Sequence, residues 1–250
     1  MKTNKNSGIN NIMKVDILAF GAHPDDVELG AGATIAKEVA NGKTVVIVDL
    51  TKGELGTRGT EHTRKAEAED AKNILGVAAR ENLGFADGFF TNDKQHQLEV
   101  IKMIRKYQPE IVLCNAIDDR HIDHGKASKL VSDACFLSGL IKIETEIEGK
   151  PQEKWRPKQV YHYIQWKHIE PDFVVDVSDF IDIKMKSVLA YKTQFYNPDS
   201  NEPQTPISSK NFTDSIIYRA RDLGRLINSE YAEGFTVERF AAVNSLFDLK

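Results

Sequence analysis

Three short stretches bring side chains capable of chemistry close together in the chain. "FGAHPDDVELGAG", residues 20–32, sets His23, Asp25 and Asp26 directly after an apolar run, and "IDDRHIDHGKAS" sets His121, Asp123 and His124 after another. "TKGELGTRGT" is a glycine-rich loop carrying Glu54 and Arg58. Two imidazoles and one carboxylate arriving from two loops form the usual three-ligand set of a catalytic zinc, with a further position left for water. His23, Asp26 and His124 are therefore the expected ligands of a divalent cation. Zn2+ suits the set, and Fe2+ or Mn2+ fits it too, because two histidines and a carboxylate discriminate weakly among these metals. Asp25, beside a ligand without being one, is the expected general base. His121 is expected either to donate to a developing oxyanion or to protonate a leaving amine, and the residues leave both open.

Plainer explanations compete for each residue. An aspartate at a helix start caps free N–H groups and complements the helix dipole without any catalysis. Two histidines three apart in a loop are often unrelated surface residues. The elements around them tip the balance. "KVDILAFGA" reads as a strand, "ELGAGATIAKEVANG" as a helix and "KTVVIVDL" as a second strand of nearly unbroken β-branched residues. A continuous apolar strand needs cover on both faces, as in a parallel sheet between helical layers. Pro24 biases His23 toward extended geometry and suits the first turn of the helix that follows. "EIVLCNA" reads as a further parallel strand, so the loops after it and after "VDILAFGA" emerge at the same edge of the sheet, where open α/β sheets place their ligand crevice.

The rest of the chain continues the pattern. "EHTRKAEAEDAKNILG" and "QHQLEVIKMIRKYQ" read as helices, the second stopped by Pro109, "RENLGF" as a short strand, and residues 125–140 as a helix. "KQVYHYIQW" and "DFVVDVS" read as strands and "DFIDIKMKSVLAYKTQF" as a helix. "YRARDLGR" lies on a helix with its three arginines expected as ordinary helical surface or oligomer contacts. The polar, proline-containing segments 141–157 and 197–210 have the length of lids or contact loops. The expected fold is α/β, a Rossmann-like three-layer sandwich with a mostly parallel central sheet. A flexible leader over 1–13 precedes one domain over 14–250.

Composition excludes several partner classes. In 250 residues, 33 Lys and Arg stand against 37 Asp and Glu, a formal net charge of −4. No global field draws nucleic acid or an acidic membrane, so a small-molecule partner is expected. Cys114 and Cys135 sit in apolar segments and read as buried reduced thiols, as in a cytoplasmic protein. The Asn-rich start lacks the apolar core of a signal peptide, and no segment is apolar enough to span a bilayer.

"AHPDDVELGAGATIA", "TKGELGTRGT", "DRHIDHGKAS" and "SEYAEGF" resemble the zinc-dependent N-deacetylases of the LmbE-like (PIG-L) superfamily, most closely the bacillithiol biosynthesis deacetylases, with likeness over residues 15–240. The resemblance implies removal of the N-acetyl group from an N-acetylglucosaminide, N-acetylglucosaminyl malate in that branch, or otherwise from another N-acetyl sugar conjugate. It implies Asp25 as base, His121 as an aid to the tetrahedral intermediate, Arg58 as a substrate contact and a homo-oligomer. A guanidinium offers malate's carboxylates a planar two-pronged donor set. Glu54 is a candidate for the sugar hydroxyls, although an exposed loop acid explains it as well. The superfamily's opening motif commonly reads "AHPDDE"; this chain has Val27 and then Glu28, outside the expected ligands.

A dinucleotide-binding oxidoreductase is the rival of another class, because "GAGATIA" is glycine-rich and Asp49 ends the next strand. A nucleotide turn needs its glycines at the strand–helix junction itself. Here His-Pro-Asp-Asp occupies that junction and the glycines fall inside the helix.

Overall fold

A computed structural model describes residues 13–248. The expected leader lies outside the described residues apart from Met13, which is exposed. In chain order the elements are β1 (Ile17–Gly21), α1 (Asp26–Ala40), β2 (Val45–Thr51), α2 (Glu61–Leu75), β3 (Ala79–Phe85), α3 (Lys94–Tyr107), β4 (Ile111–Cys114) and α4 (Ile122–Ser138). A small hairpin of β5 (Glu146–Ile147) and β6 (Lys150–Pro151) follows. Then come β7 (Gln159–Tyr163), β8 (Phe173–Asp176), α5 (Ile181–Leu189), α6 (Lys210–Arg225) and β9 (Ala232–Val237).

The main sheet has the order β3-β2-β1-β4-β7-β9-β8. The pairs β3–β2, β2–β1, β1–β4 and β4–β7 are parallel, and β9 runs antiparallel to both its neighbours. The chain builds outward from β1 to β2 and β3, then returns to lay β4 on the other side of β1. That reversal makes the gap between the carboxyl ends of β1 and β4 the crevice of the fold.

Side-chain alternation along β1 and β2 explains why both faces are covered. Leu18, Phe20, Val46 and Val48 face a core with α3 and α4, through residues such as Ile101, Ile104, Leu130 and Val131. Ile17, Ala19, Val45 and Ile47 face the opposite core, where α1 contributes Val27, Ala31 and Ile35. Full burial of each such large aliphatic side chain contributes roughly 1.5–3 kcal/mol. This double cover is what the unbroken apolar runs predict. Cys114 and Cys135 are buried free thiols. Among the described residues no helix is long and apolar enough to cross a membrane.

Two expectations change in detail. The helix expected over "DFIDIKMKSVLAYKTQF" ends at Leu189. Beyond it Tyr191 and Phe195 turn into a third core beside α1 and α2, while the Thr193 N–H is taken by Glu67 at 2.7 Å. The two lid candidates also differ. Segment 141–157 folds on the α3–α4 side, where Arg105 donates to the carbonyls of Ser138, Leu140 and Ile143. Segment 197–210 instead reaches the crevice through Thr205, Pro206 and Ile207.

The glycines of "GAGATIA" have a packing explanation. A Cβ on Gly30 would lie 2.0 Å from Cδ2 of Tyr163, and one on Gly32 would lie 3.3 Å from Cγ of Lys184. Tyr163 crosses α1 at Gly30 and donates its hydroxyl to the Phe20 carbonyl at 2.9 Å. Gly30→Ala should therefore destabilise the protein by about 1–3 kcal/mol, the usual range for overpacking a core, and Gly32→Ala by clearly less. Urea denaturation followed by circular dichroism checks this order; equal midpoints for the two variants would contradict it.

Candidate metal and catalytic site

Hydrogen bonds between neighbouring strand ends fix the crevice. The Ala22 N–H, just past β1, donates to Oδ1 of Asn115 past β4 at 2.8 Å. The Ala22 carbonyl accepts from the backbone N–H and the hydroxyl of Thr51 at the end of β2. The chain then turns sharply through His23 and Pro24. Asp25 stands at the N-cap position of α1 with φ of 110°, a left-handed conformation rare outside glycine, and makes no side-chain cap bond. Capping therefore does not explain Asp25. Its carboxylate accepts instead from Arg64 of α2 at 3.1 Å, and the same guanidinium also donates to the Pro24 carbonyl. Backbone strain at a buried charged residue is characteristic of functional sites.

Asp26, 1% exposed, is the hub. Its Oδ2 accepts from the His23 N–H at 2.9 Å and from Nδ2 of Asn115 at 3.0 Å. Its Oδ1 accepts from Nε2 of Gln165 at 2.7 Å. Nε2 of His124 lies 3.1 Å from Oδ1, and Nδ1 of His23 lies 3.4 Å from Oδ2. The far nitrogens of both rings also face carboxylates. His23 Nε2 is 3.0 Å from Asp87 and 3.4 Å from Asp123, and His124 Nδ1 is 2.7 Å from Asp119. His121 is the N-cap of α4, and its Nδ1 accepts from the Asp123 N–H at 3.2 Å. Its ring stands 4.6 Å from His23 and 5.2 Å from His124, centroid to centroid.

These contacts set the charges. Burial alone would raise the Asp26 pKa, but the facing imidazoles of His124 and His23 hold it well below the usual carboxylate range. Burial pushes Asp25 up to about 7 against the pull of Arg64. Burial would lower His124, yet Asp26 and Asp119 lift it to about 9. His23 is raised in the same way by Asp123, Asp26 and Asp87. His121 is lowered by burial and by its two imidazole neighbours. Among the described residues, nitrogens of His23, His121 and His124 come within 4.8 Å of one another, as do ligand atoms of His23, Asp87 and Asp123. The site can thus hold a divalent cation.

The structure brings His23, Asp25, Asp26, His121 and His124 together at one wall of a cavity of about 570 Å3. The other two residues singled out from sequence lie elsewhere. Arg58 is buried, but its guanidinium binds Glu202 and Ser200 of segment 197–210, and it does not line the cavity. Glu54 is exposed and accepts from the Asp87 N–H at 2.8 Å, which steadies the loop after β3 rather than facing the cavity. Sequence reasoning passed over Arg64, Asp87 and Asp119. Asp87 follows β3 at the same sheet edge, and Asp119 lies in the quoted "IDDRHIDH" loop, so the strand-end argument could have reached both. Arg64 sits inside a polar helix and carries no such signal.

Residues 18–135 match the PIG-L family, described as GlcNAc-PI de-N-acetylase. The chain is 30% identical over 200 residues to the diacetylchitobiose deacetylase of Thermococcus kodakarensis, covering 76% of this chain and 73% of that protein. Its fold superimposes on the conserved protein TT1542 from Thermus thermophilus with a TM-score of 0.81 at 34% identity, over 92% of this chain and 98% of the other. The N,N'-diacetylchitobiose deacetylase of Pyrococcus horikoshii shares the fold at a TM-score of 0.77 and 23% identity, over 94% and 88% of the two chains. The family match and the 30% identity to the Thermococcus kodakarensis deacetylase over most of both chains establish that the chain belongs to the PIG-L (LmbE-like) family of deacetylases.

Proposed function

We propose that the protein is a metal-dependent hydrolase that removes the N-acetyl group from an N-acetylated sugar conjugate. The observation that carries this reading is the arrangement around Asp26. Two imidazoles present one nitrogen each to a shared buried carboxylate, while their other nitrogens are tied to Asp87, Asp123 and Asp119. Carboxylates behind ligating histidines fix the ring orientation and raise the basicity of the free nitrogen, so the donor set fits a divalent cation held by His23, Asp26 and His124. His121 is not counted among the ligands, because its Nδ1 is occupied by the Asp123 N–H and its Nε2 therefore carries the proton. When bound, such a cation supplies Lewis acidity, polarising the acetamide carbonyl and acidifying water.

The chain's own residues do the rest. Asp25, held by Arg64 beside the ligands, takes a proton from the attacking water as its oxygen bonds to the acetamide carbon. His121, kept neutral by burial and by its imidazole neighbours, donates its Nε2–H to the carbonyl oxygen as charge builds there. When the C–N bond breaks, Asp25 returns the proton to the departing nitrogen, leaving acetate and a free amine. Zinc is the proposed metal. The proposed substrate is N-acetylglucosaminyl malate, as in bacillithiol biosynthesis; its support is the motif likeness, since the carboxylate clamp expected of Arg58 has no counterpart in the cavity. The named activity of the Thermococcus kodakarensis relative supports N-acetylated amino sugars more broadly.

Three outcomes test the reading. Dialysis against a chelator should abolish acetate release from N-acetylglucosamine conjugates, and added Zn2+ should restore it; turnover that survives metal removal rejects a metal enzyme. Asp25→Asn should lower kcat by about 10²–10⁴-fold, as expected for loss of a general base, with metal content unchanged by plasma mass spectrometry. Asp119→Asn should weaken metal affinity by about 10–100-fold, the usual cost of losing a carboxylate behind a ligating histidine, in a competition titration against a fluorescent chelator. Unchanged affinity would mean that His124 does not bind the metal.

A further inference from the structure

The three arginines of "YRARDLGR" behave differently once placed on α6. Arg221 and Arg225 point outward to Glu230, Tyr231 and Asp222. Arg219 lies on the inner face with Phe212, Ser215, Ile216, Ala220 and Leu223, all lining the same cavity as the metal-capable cluster. A half-buried guanidinium on an otherwise mainly apolar helix face is costly unless something uses its charge. Its only hydrogen bond among the described residues runs from one Nη to the Trp166 carbonyl, at 2.6 Å. Trp166 is itself clamped, with its indole stacked 5.1 Å from Phe212 and the guanidinium of Arg120 4.6 Å from its ring. Arg120 also lines the cavity, and among the described residues neither guanidinium has a carboxylate within ion-pair distance. Asp119, the acid whose charge reaches Arg219, already accepts from Arg120 N, Trp166 N, Lys167 N and His124.

Of the other buried arginines, Arg64 is paired with Asp25, Arg58 with Glu202, and Arg80 with Asp49 and Glu28, while Arg105, away from the cavity, has its whole guanidinium taken up by Thr145 and the carbonyls of Ser138, Leu140 and Ile143. We infer that Arg219, assisted by Arg120, forms an anion-recognition subsite facing the metal-capable cluster, and that the conjugate cleaved there carries a carboxylate or phosphate beyond its sugar. This rests on the proposed deacetylase reading and moves anion recognition from Arg58 to α6. Planar guanidinium donors suit the paired oxygens of either group. Trp166 positions both arginines, since its carbonyl accepts from Arg219 while its ring lies against the guanidinium of Arg120.

The test compares acetate release by the zinc-loaded enzyme from neutral N-acetylglucosamine, N-acetylglucosaminyl malate and N-acetylglucosamine 1-phosphate. The wild type should favour at least one anionic substrate, and the two together separate carboxylate from phosphate. Arg219→Gln should lower the ratio of kcat/KM for that substrate to kcat/KM for N-acetylglucosamine by about 10–100-fold, mostly through KM, the value of one or two charge-assisted hydrogen bonds. Arg219→Lys should recover part of the ratio, and Arg221→Gln on the exposed face should leave it unchanged. No anionic preference in the wild type, or a parallel fall on all substrates in Arg219→Gln, overturns the subsite. Should no N-acetyl sugar be cleaved, the deacetylase reading fails separately. The subsite is then read by calorimetric titration of malate and inorganic phosphate. Binding about tenfold weaker in Arg219→Gln supports it; equal affinity, or no binding to the wild type, overturns it.

Discussion

A single buried carboxylate organises this protein. Asp26 is an ionised group with almost no access to water, a state tolerated only where hydrogen bonds and opposite charges surround it. Its donors come from separate parts of the chain: His23 after β1, Asn115 after β4, Gln165 after β7 and His124 on α4. β1, β4 and β7 are consecutive neighbours in the sheet, so the order of the strands itself delivers the donors. A change in that order would leave Asp26 charged and unsatisfied. Fold and site are in this sense one constraint, and the apolar double cover of β1 and β2 is what holds it rigid.

The charges beyond Asp26 follow from the same geometry. Asp87, Asp119 and Asp123 crowd around the two imidazoles, and their field favours positive charge on His23 and His124. A field that attracts protons to these rings attracts a divalent cation by the same Coulomb interaction, and the cation relieves carboxylate repulsion that two protons relieve less well. Asp25 stands outside this ring of acids on the Arg64 side. Neighbouring aspartates in one motif thus meet opposite environments: Asp26 is held charged, and burial makes Asp25 easier to protonate. Separated proton affinities in adjacent groups are what the ligand and base roles proposed for Asp26 and Asp25 require of one turn.

Much of this was legible in the sequence. The parallel sheet followed from apolar runs without alternation, and the meeting of "HPDD" with "HIDH" followed from strands that point the same way. What was lost depends on side-chain direction, which periodicity does not carry. Arg58 and Arg64 are six residues apart; the loop arginine that the motif singled out is tied to Glu202, far along the chain, and the helix arginine that it did not reaches Asp25. The position of Gly30 inside a helix already argues against a nucleotide loop, but the reason for the glycine is Tyr163, more than a hundred residues later, which fills the space where its Cβ would stand. The strand β9 lies between β7 and β8 against the direction of both, an insertion that no local pattern announces.

The two ends of the cavity differ in how they are built, and this divides their labour. The metal-capable end stands on strand ends bonded to one another, so the placement of the proposed ligands and base is supported by the whole sheet. The opposite wall is made by α6, Trp166 and segment 197–210, which lie outside the parallel strands and pack through a helix face and a loop. A helix face or loop can exchange one side chain for another without disturbing Asp26, whereas a changed strand end cannot. Chemistry at the first end can thus stay fixed while recognition at the second varies, as expected where function is grafted on a common scaffold. Arg219 stands on the variable side, and it contributes its charge to the cavity without touching the hydrogen bonds that position the hub.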